Sequence, residues 1–117
     1  MTPTIGDLIS FILLNRSDRC FIGMSELDIA RLVDRKIRES MLWYTIDDNS
    51  ISGMIIATNH VEPKIIYIDQ NLAMNKNNLK KFARRAKTEF EGYRLEWEKN
   101  GKHILVTNTE KLYAKLS

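Results

Sequence analysis

Apolar positions recur at helical spacing from the start of the chain. Ile5, Leu8, Ile9, Ile12 and Leu13 form one stripe, predicting a helix over roughly residues 4–15 that ends at Asn15. Phe11 and Leu14 widen that stripe beyond one face, so the helix is expected to be buried or to cover a partner chain. "NRSDRCFIG" reads as a loop, with "CFI" as a short strand. A second helix is signalled at Ser25, which can cap it, with Asp28 three residues on and Met24 and Ile29 placed as a hydrophobic staple. Leu27, Ile29, Ala30, Leu32, Val33 and Ile37 supply its buried side up to about Glu39.

From Met41 the period changes. "MLWYTIDDNSISGMIIATNH" reads as strand, turn, strand, with Asp47-Asp48-Asn49-Ser50 as the turn. "KIIYID" (Lys64–Asp69) is a third strand after the loop containing Pro63. Its nearly continuous apolar character predicts a central strand covered on both faces. Residues 76–90 return to helical spacing, with Leu79, Phe82, Ala83, Ala86 and Phe90 on one side and Gly92 able to end the helix. "YRLEWEKNGKHILVTN" is a second hairpin turning at Asn100-Gly101, and Thr109–Leu116 is a short terminal helix. The predicted order is α-α-β-β-β-α-β-β-α, an α/β (α+β) domain on a mostly antiparallel sheet with flanking helices.

Length and composition fit one globular domain, residues 1–117: 44% hydrophobic, 28% charged, and no repeat. Charge changes the picture more. The net charge is +3, yet residues 71–87 alone carry Lys76, Lys80, Lys81, Arg84, Arg85 and Lys87 and no acid. The rest of the chain, with 12 basic against 15 acidic residues, sums to −3. The basicity is local, which argues for a patch and against a protein that coats DNA generally.

One cysteine, Cys20, excludes an internal disulfide and suits a reducing compartment. It reads as a small buried side chain rather than a nucleophile. His60 and His103 form no cluster with it, so zinc has no ligand set and no metal is expected. The apolar run Leu8–Leu14 is too short to span a bilayer and lacks the flanks of a signal peptide. No membrane partner and a cytoplasmic location are expected.

Three strings carry a resemblance. "WYTIDDNSISGMIIA" (Trp43–Ala57), "YIDQNLAM" (Tyr67–Met74) and "NTEKLYAKL" (Asn108–Leu116) resemble, in this order of elements, the second and third strands, the fourth strand and its exit, and the C-terminal segment of the GNAT acetyltransferase family. The similarity covers roughly residues 22–117. Short GNAT-like proteins ending in a "WEKNGK"-type hairpin are also similar to ones carried by tailed bacteriophages, some described as acetyltransferases and some as virion proteins. The resemblance thus implies a host cytoplasm or a virion as the location.

It also implies an acyl-CoA N-acetyltransferase-type domain. Acetyl-CoA would meet Leu72, Met74, Asn75, Lys76, Asn77 and Asn78, where a helix start supplies backbone N–H groups and positive potential to the pyrophosphate. That stretch has no glycine, so a reduced cofactor loop and a degenerate activity are implied. Asp69 would be the general base for the amine, and Tyr113 would protonate the leaving thiolate.

Three readings of the basic helix stay open: a solvated face, a nucleic-acid contact through Lys76–Lys87, or an acidic partner, protein or CoA phosphate. Lys80, Lys81, Arg84, Arg85 and Lys87 would carry either contact. No aromatic is interleaved among these cations for base stacking. The alternative to the enzyme is therefore a non-catalytic virion or host-factor-binding protein, with Leu8–Leu14 as a protein or self-association interface.

Overall fold

The computed structural model describes residues 2–16, 21, 23–73, 75–99 and 102–106, and both N-terminal helices start at reciprocal caps. In α1 (Ile5–Asn15) the Thr4 hydroxyl accepts from the Asp7 N–H at 3.1 Å, and Asp7 accepts from the Thr4 N–H at 2.8 Å. In α2 (Glu26–Arg38) Ser25 and Asp28 exchange the same two bonds at 3.2 and 3.1 Å. Such a cap is worth about 0.5–2 kcal/mol, because it closes N–H groups that the helix itself cannot. Arg35, Lys36 and Arg38 in the last turn of α2 complement its dipole.

The expected buried side of α2 is corrected at both ends. Ile29 and Val33 are fully buried, but Leu27 is 59% and Ile37 40% exposed, while Lys36 is 5% exposed. At 100° per residue Lys36 lies only about 20° from Ile29, whereas Leu27 lies about 160° away. Angle decided burial here, and residue type did not. The lysine stem can line an apolar surface while its ammonium reaches out, and Lys36 Nζ lies 3.7 Å from Glu39 Oε1.

Strands β1 (Leu42–Asp47) and β2 (Ser50–His60) form the antiparallel hairpin the sequence predicts, pairing Asp47 with Ser50. Asp48 and Asn49 both have positive φ, 50° and 63°. This is the two-residue turn whose twist suits a hairpin, and Asn and Asp tolerate it better than most residues. Next come β3 (Ile65–Leu72), α3 (Lys76–Glu89), β4 (Arg94–Lys99) and β5 (Lys102–Val106). The observed order is α-α-β-β-β-α-β-β; the expected helix at Thr109–Leu116 lies outside the described residues.

The strand order is β1-β2-β3-β4-β5, and the sheet is mixed. β1–β2 and β4–β5 are antiparallel, whereas β3 and β4, joined through α3, are parallel. The β4–β5 register pairs Lys99 with Lys102, flanking the expected Asn100-Gly101 turn, which is itself outside the described residues. A five-residue run, Gly53–Ala57 of β2, is buried without a break. The strand covered on both faces is therefore β2; β3 instead combines buried Ile66 and Leu72 with exposed Asp69. Nor is Phe21 part of a short strand: it is buried with φ 61° in a bend.

The chain divides into two compact units, Met1–Ile56 with Gln70–Ala73, and Ala57–Asp69 with Met74–Ser117. The first is built on Leu8, Ile12, Phe21, Ile29, Val33, Met54, Ile56 and Leu72. Ile9, Phe11 and Leu13 pack against that cluster, while Leu14 is 84% exposed. Most of the wide stripe on α1 is therefore spent on the core. In the second unit Ala57, Ile66, Phe82, Ala86 and Leu95 are buried.

Candidate functional site

The second unit holds nearly all the candidate residues that can be described. In its parallel pair Ile65, Ile66 and Tyr67 face Arg94, Leu95 and Glu96 in register. Ile66 and Leu95 are fully buried, so one face of these strands is apolar. Alternation puts Tyr67, Asp69, Arg94 and Glu96 on the other. Asp69 is exposed, and its Oδ2 accepts from the Thr58 hydroxyl at 2.6 Å. A carboxylate oriented by a neighbouring hydroxyl can accept a proton or a positive group. Tyr113, its expected partner in acid–base chemistry, lies outside the described residues.

The expected cofactor stretch has a different local form from a loop. β3 continues to Leu72, and Asn75 already caps α3 with φ −83° and ψ 177°. The Asn75 side chain accepts from the Asn78 N–H at 2.8 Å, and the Asn75 carbonyl accepts from the Leu79 N–H at 2.9 Å. Lys76, Asn77 and Asn78 are the first turn of the helix, and Asn78 is 1% exposed. Leu72 is 3% exposed and its side chain belongs to the apolar core of the first unit. Met74 lies outside the described residues. Among the described residues of the connection Ala73, φ 57°, is left-handed, and none of the asparagines is.

A pyrophosphate cradle needs backbone N–H groups open to the ligand and room for close approach. Here the Asn78 N–H is closed by its own cap, the Asn78 side chain is buried, and no glycine gives access. The cap thus takes one N–H of the helix start from any ligand, and the stretch has no glycine to let a pyrophosphate close on the backbone.

The helix beyond that turn has a buried side and a basic side. Phe82 and Ala86 are buried; Lys81, Arg84 and Arg85 are exposed and Lys80 is half-buried. Lys76 and Lys87 belong to the same helix. Arg85 lies 3.6 Å from Glu89, an exposed pair one turn on. Such pairs contribute little and are readily exchanged for another anion.

Two features had no sequence signal. The Thr58–Asp69 bond joins residues eleven apart on neighbouring strands, and nothing local marks the pairing. The left-handed Ala73 is also unmarked, since alanine does not advertise positive φ. His60 is exposed, as expected of a residue beside a turn.

Among the described residues no group of three or more His, Cys, Asp and Glu could hold a metal ion, and no helix is long and apolar enough to cross a membrane. The chain matches no family model, no curated protein and no solved structure.

Proposed function

We propose that this chain is a GNAT-like domain that works as an interaction protein, of the kind tailed bacteriophages carry as a virion component or host-factor binder, and that α3 presents its basic face to nucleic acid. The order α-α-β-β-β-α-β-β and the resemblance of Trp43–Ala57 and Tyr67–Met74 support the fold assignment. The observation that carries the functional reading is the Asn75 cap on the Asn78 N–H. It uses the helix start for the helix's own stability, while Lys81, Arg84 and Arg85 beyond it are exposed. Their contribution to binding is electrostatic and sequence-independent.

Two measurements test this. Isothermal titration with acetyl-CoA gives no heat at millimolar ligand. Anisotropy with a labelled oligonucleotide shows binding at low salt that weakens steeply as salt rises, with a log–log slope of roughly −3 for about four phosphate contacts. Changing Lys80, Lys81, Arg84 and Arg85 together to Gln removes it and leaves the melting temperature nearly unchanged. A salt-insensitive complex, or no complex with DNA or RNA, overturns the nucleic-acid reading.

The second reading is an active acetyltransferase, favoured by the oriented Asp69 carboxylate on the exposed strand face. It requires that acetyl-CoA bind and that Asp69→Asn remove transfer to an amine without loss of that binding.

A further inference from the structure

The first unit carries a second basic surface, away in sequence from α3 and built by α2. An open groove of about 460 Å³ is lined by Met24, Asp28, Arg31, Leu32, Arg35 and Arg38. At helical spacing, Asp28, Arg31, Arg35 and Arg38 fall within about 80° of one another, a straight stripe with Leu32 at its flank and Met24 just before the helix. The three guanidiniums follow one another over about 10 Å of helix axis. Arg16 reaches the other end, with Nη1 3.5 Å from the Met24 carbonyl oxygen.

The charges in this groove are unequal. Asp28 spends its carboxylate on the Ser25 cap, and Arg38 is held by Asp34 at 2.6 Å. Arg35 has no carboxylate partner among the described residues, and Arg31 acts on Asp28 through space. The lining therefore presents excess positive charge on planar, fork-shaped donors that match carboxylates two bonds at a time. Met24 and Leu32, half-buried, add apolar wall. Among the described residues no aromatic lines the groove for a base to stack on.

We infer that this α2 groove is a docking site for an acidic amphipathic peptide segment of a partner protein, its carboxylates on Arg31, Arg35 and Arg38 and an apolar side chain between Met24 and Leu32. Charge complementarity selects an acidic occupant, and the apolar wall selects a peptide over a sugar–phosphate chain. The inference is independent of the α3 reading, and its variants are separate.

The test uses the full chain and a fluorescein-labelled synthetic peptide with glutamates on one helical stripe and leucines beside it. Anisotropy shows binding at low salt. Arg31→Gln/Arg35→Gln weakens it about tenfold, as two exposed charge pairs can do. Leu32→Ala weakens it about threefold, and Lys80→Gln/Lys81→Gln leaves it unchanged. Glutamine is a good helix former, so the arginine variant keeps α2. Amide shift mapping on the wild type gives the second readout, with the largest changes between Met24 and Arg38. No binding, binding unaffected by the arginine change, or shifts confined to α3 overturns the inference. So does an oligonucleotide that competes through the same arginines more tightly than the peptide does.

Discussion

The Asn75 side-chain oxygen accepts the Asn78 backbone N–H at 2.8 Å, and the Asn78 side chain behind it is closed off from solvent. A capping asparagine contributes about 1 kcal/mol over alanine, but glycine at the same position costs only a few tenths. Asn75→Ala therefore lowers the thermal midpoint by about 4 °C for a chain of this size, and Asn75→Gly by much less. Calorimetry on the three proteins checks the pair.

Ala73 holds a left-handed backbone, φ 57°, between the end of β3 and the cap of α3. For a residue with a Cβ that conformation costs about 1–2 kcal/mol, and glycine escapes the cost while losing some entropy on folding. Ala73→Gly should stabilise the protein by about 0.5–1 kcal/mol in urea unfolding, with an unchanged slope. Ala73→Val should destabilise it.

The Asp28 carboxyl is held below the ordinary aspartate value of 3.8, first by the Ser25 backbone N–H, then by its hydroxyl, with Arg31 adding to both. A lowered folded-state value means that the charged form is the one the fold favours. Its contribution is fully present above 3.8 and is lost as pH falls from there through the folded value. The stability gap between wild type and Asp28→Asn should hold at neutral pH and close in that acid window. Denaturant titrations at several pH values read it directly.

On α1, Ile12 is fully buried and Leu14, two residues on, is 84% exposed. Ile12→Ala should cost about 2–5 kcal/mol, since it opens a cavity among packed neighbours. Leu14→Ser should change stability by less than about 0.5 kcal/mol. If Leu14 mediates self-association, light scattering will show wild type larger than Leu14→Ser; equal masses assign this residue to the monomer surface.

Features written in local sequence were legible. The Ser25–Asp28 cap, the Asp48-Asn49 turn and the helical spacing after residue 75 each depend on residues within a turn of one another. Burial read by residue type failed where geometry ranks differently: Lys36 lies on the Ile29–Val33 line, and Leu27 lies across the helix from it. The helix start was legible as basic, but its cap was not, because Asn75 can as readily adopt the left-handed loop form that Ala73 takes instead. Thr58 as the partner of Asp69 depends on strand pairing, which no local pattern encodes. The arginine stripe of α2 is also written at helical spacing, in Arg31, Arg35 and Arg38.

The two strand pairings differ in how far the chain must travel to make them. Asp47 meets Ser50 across two residues, whereas Tyr67 meets Glu96 only after the whole of α3 has been laid down. Loop-closure entropy separates these by roughly 2 kcal/mol, and a hairpin closes in microseconds. Folding should therefore begin at the β1–β2 turn and reach the parallel pair late. In chevron measurements a destabilising change in that turn, Asn49→Ala, will mainly slow refolding. Leu95→Ala, in the parallel pair, will mainly hasten unfolding.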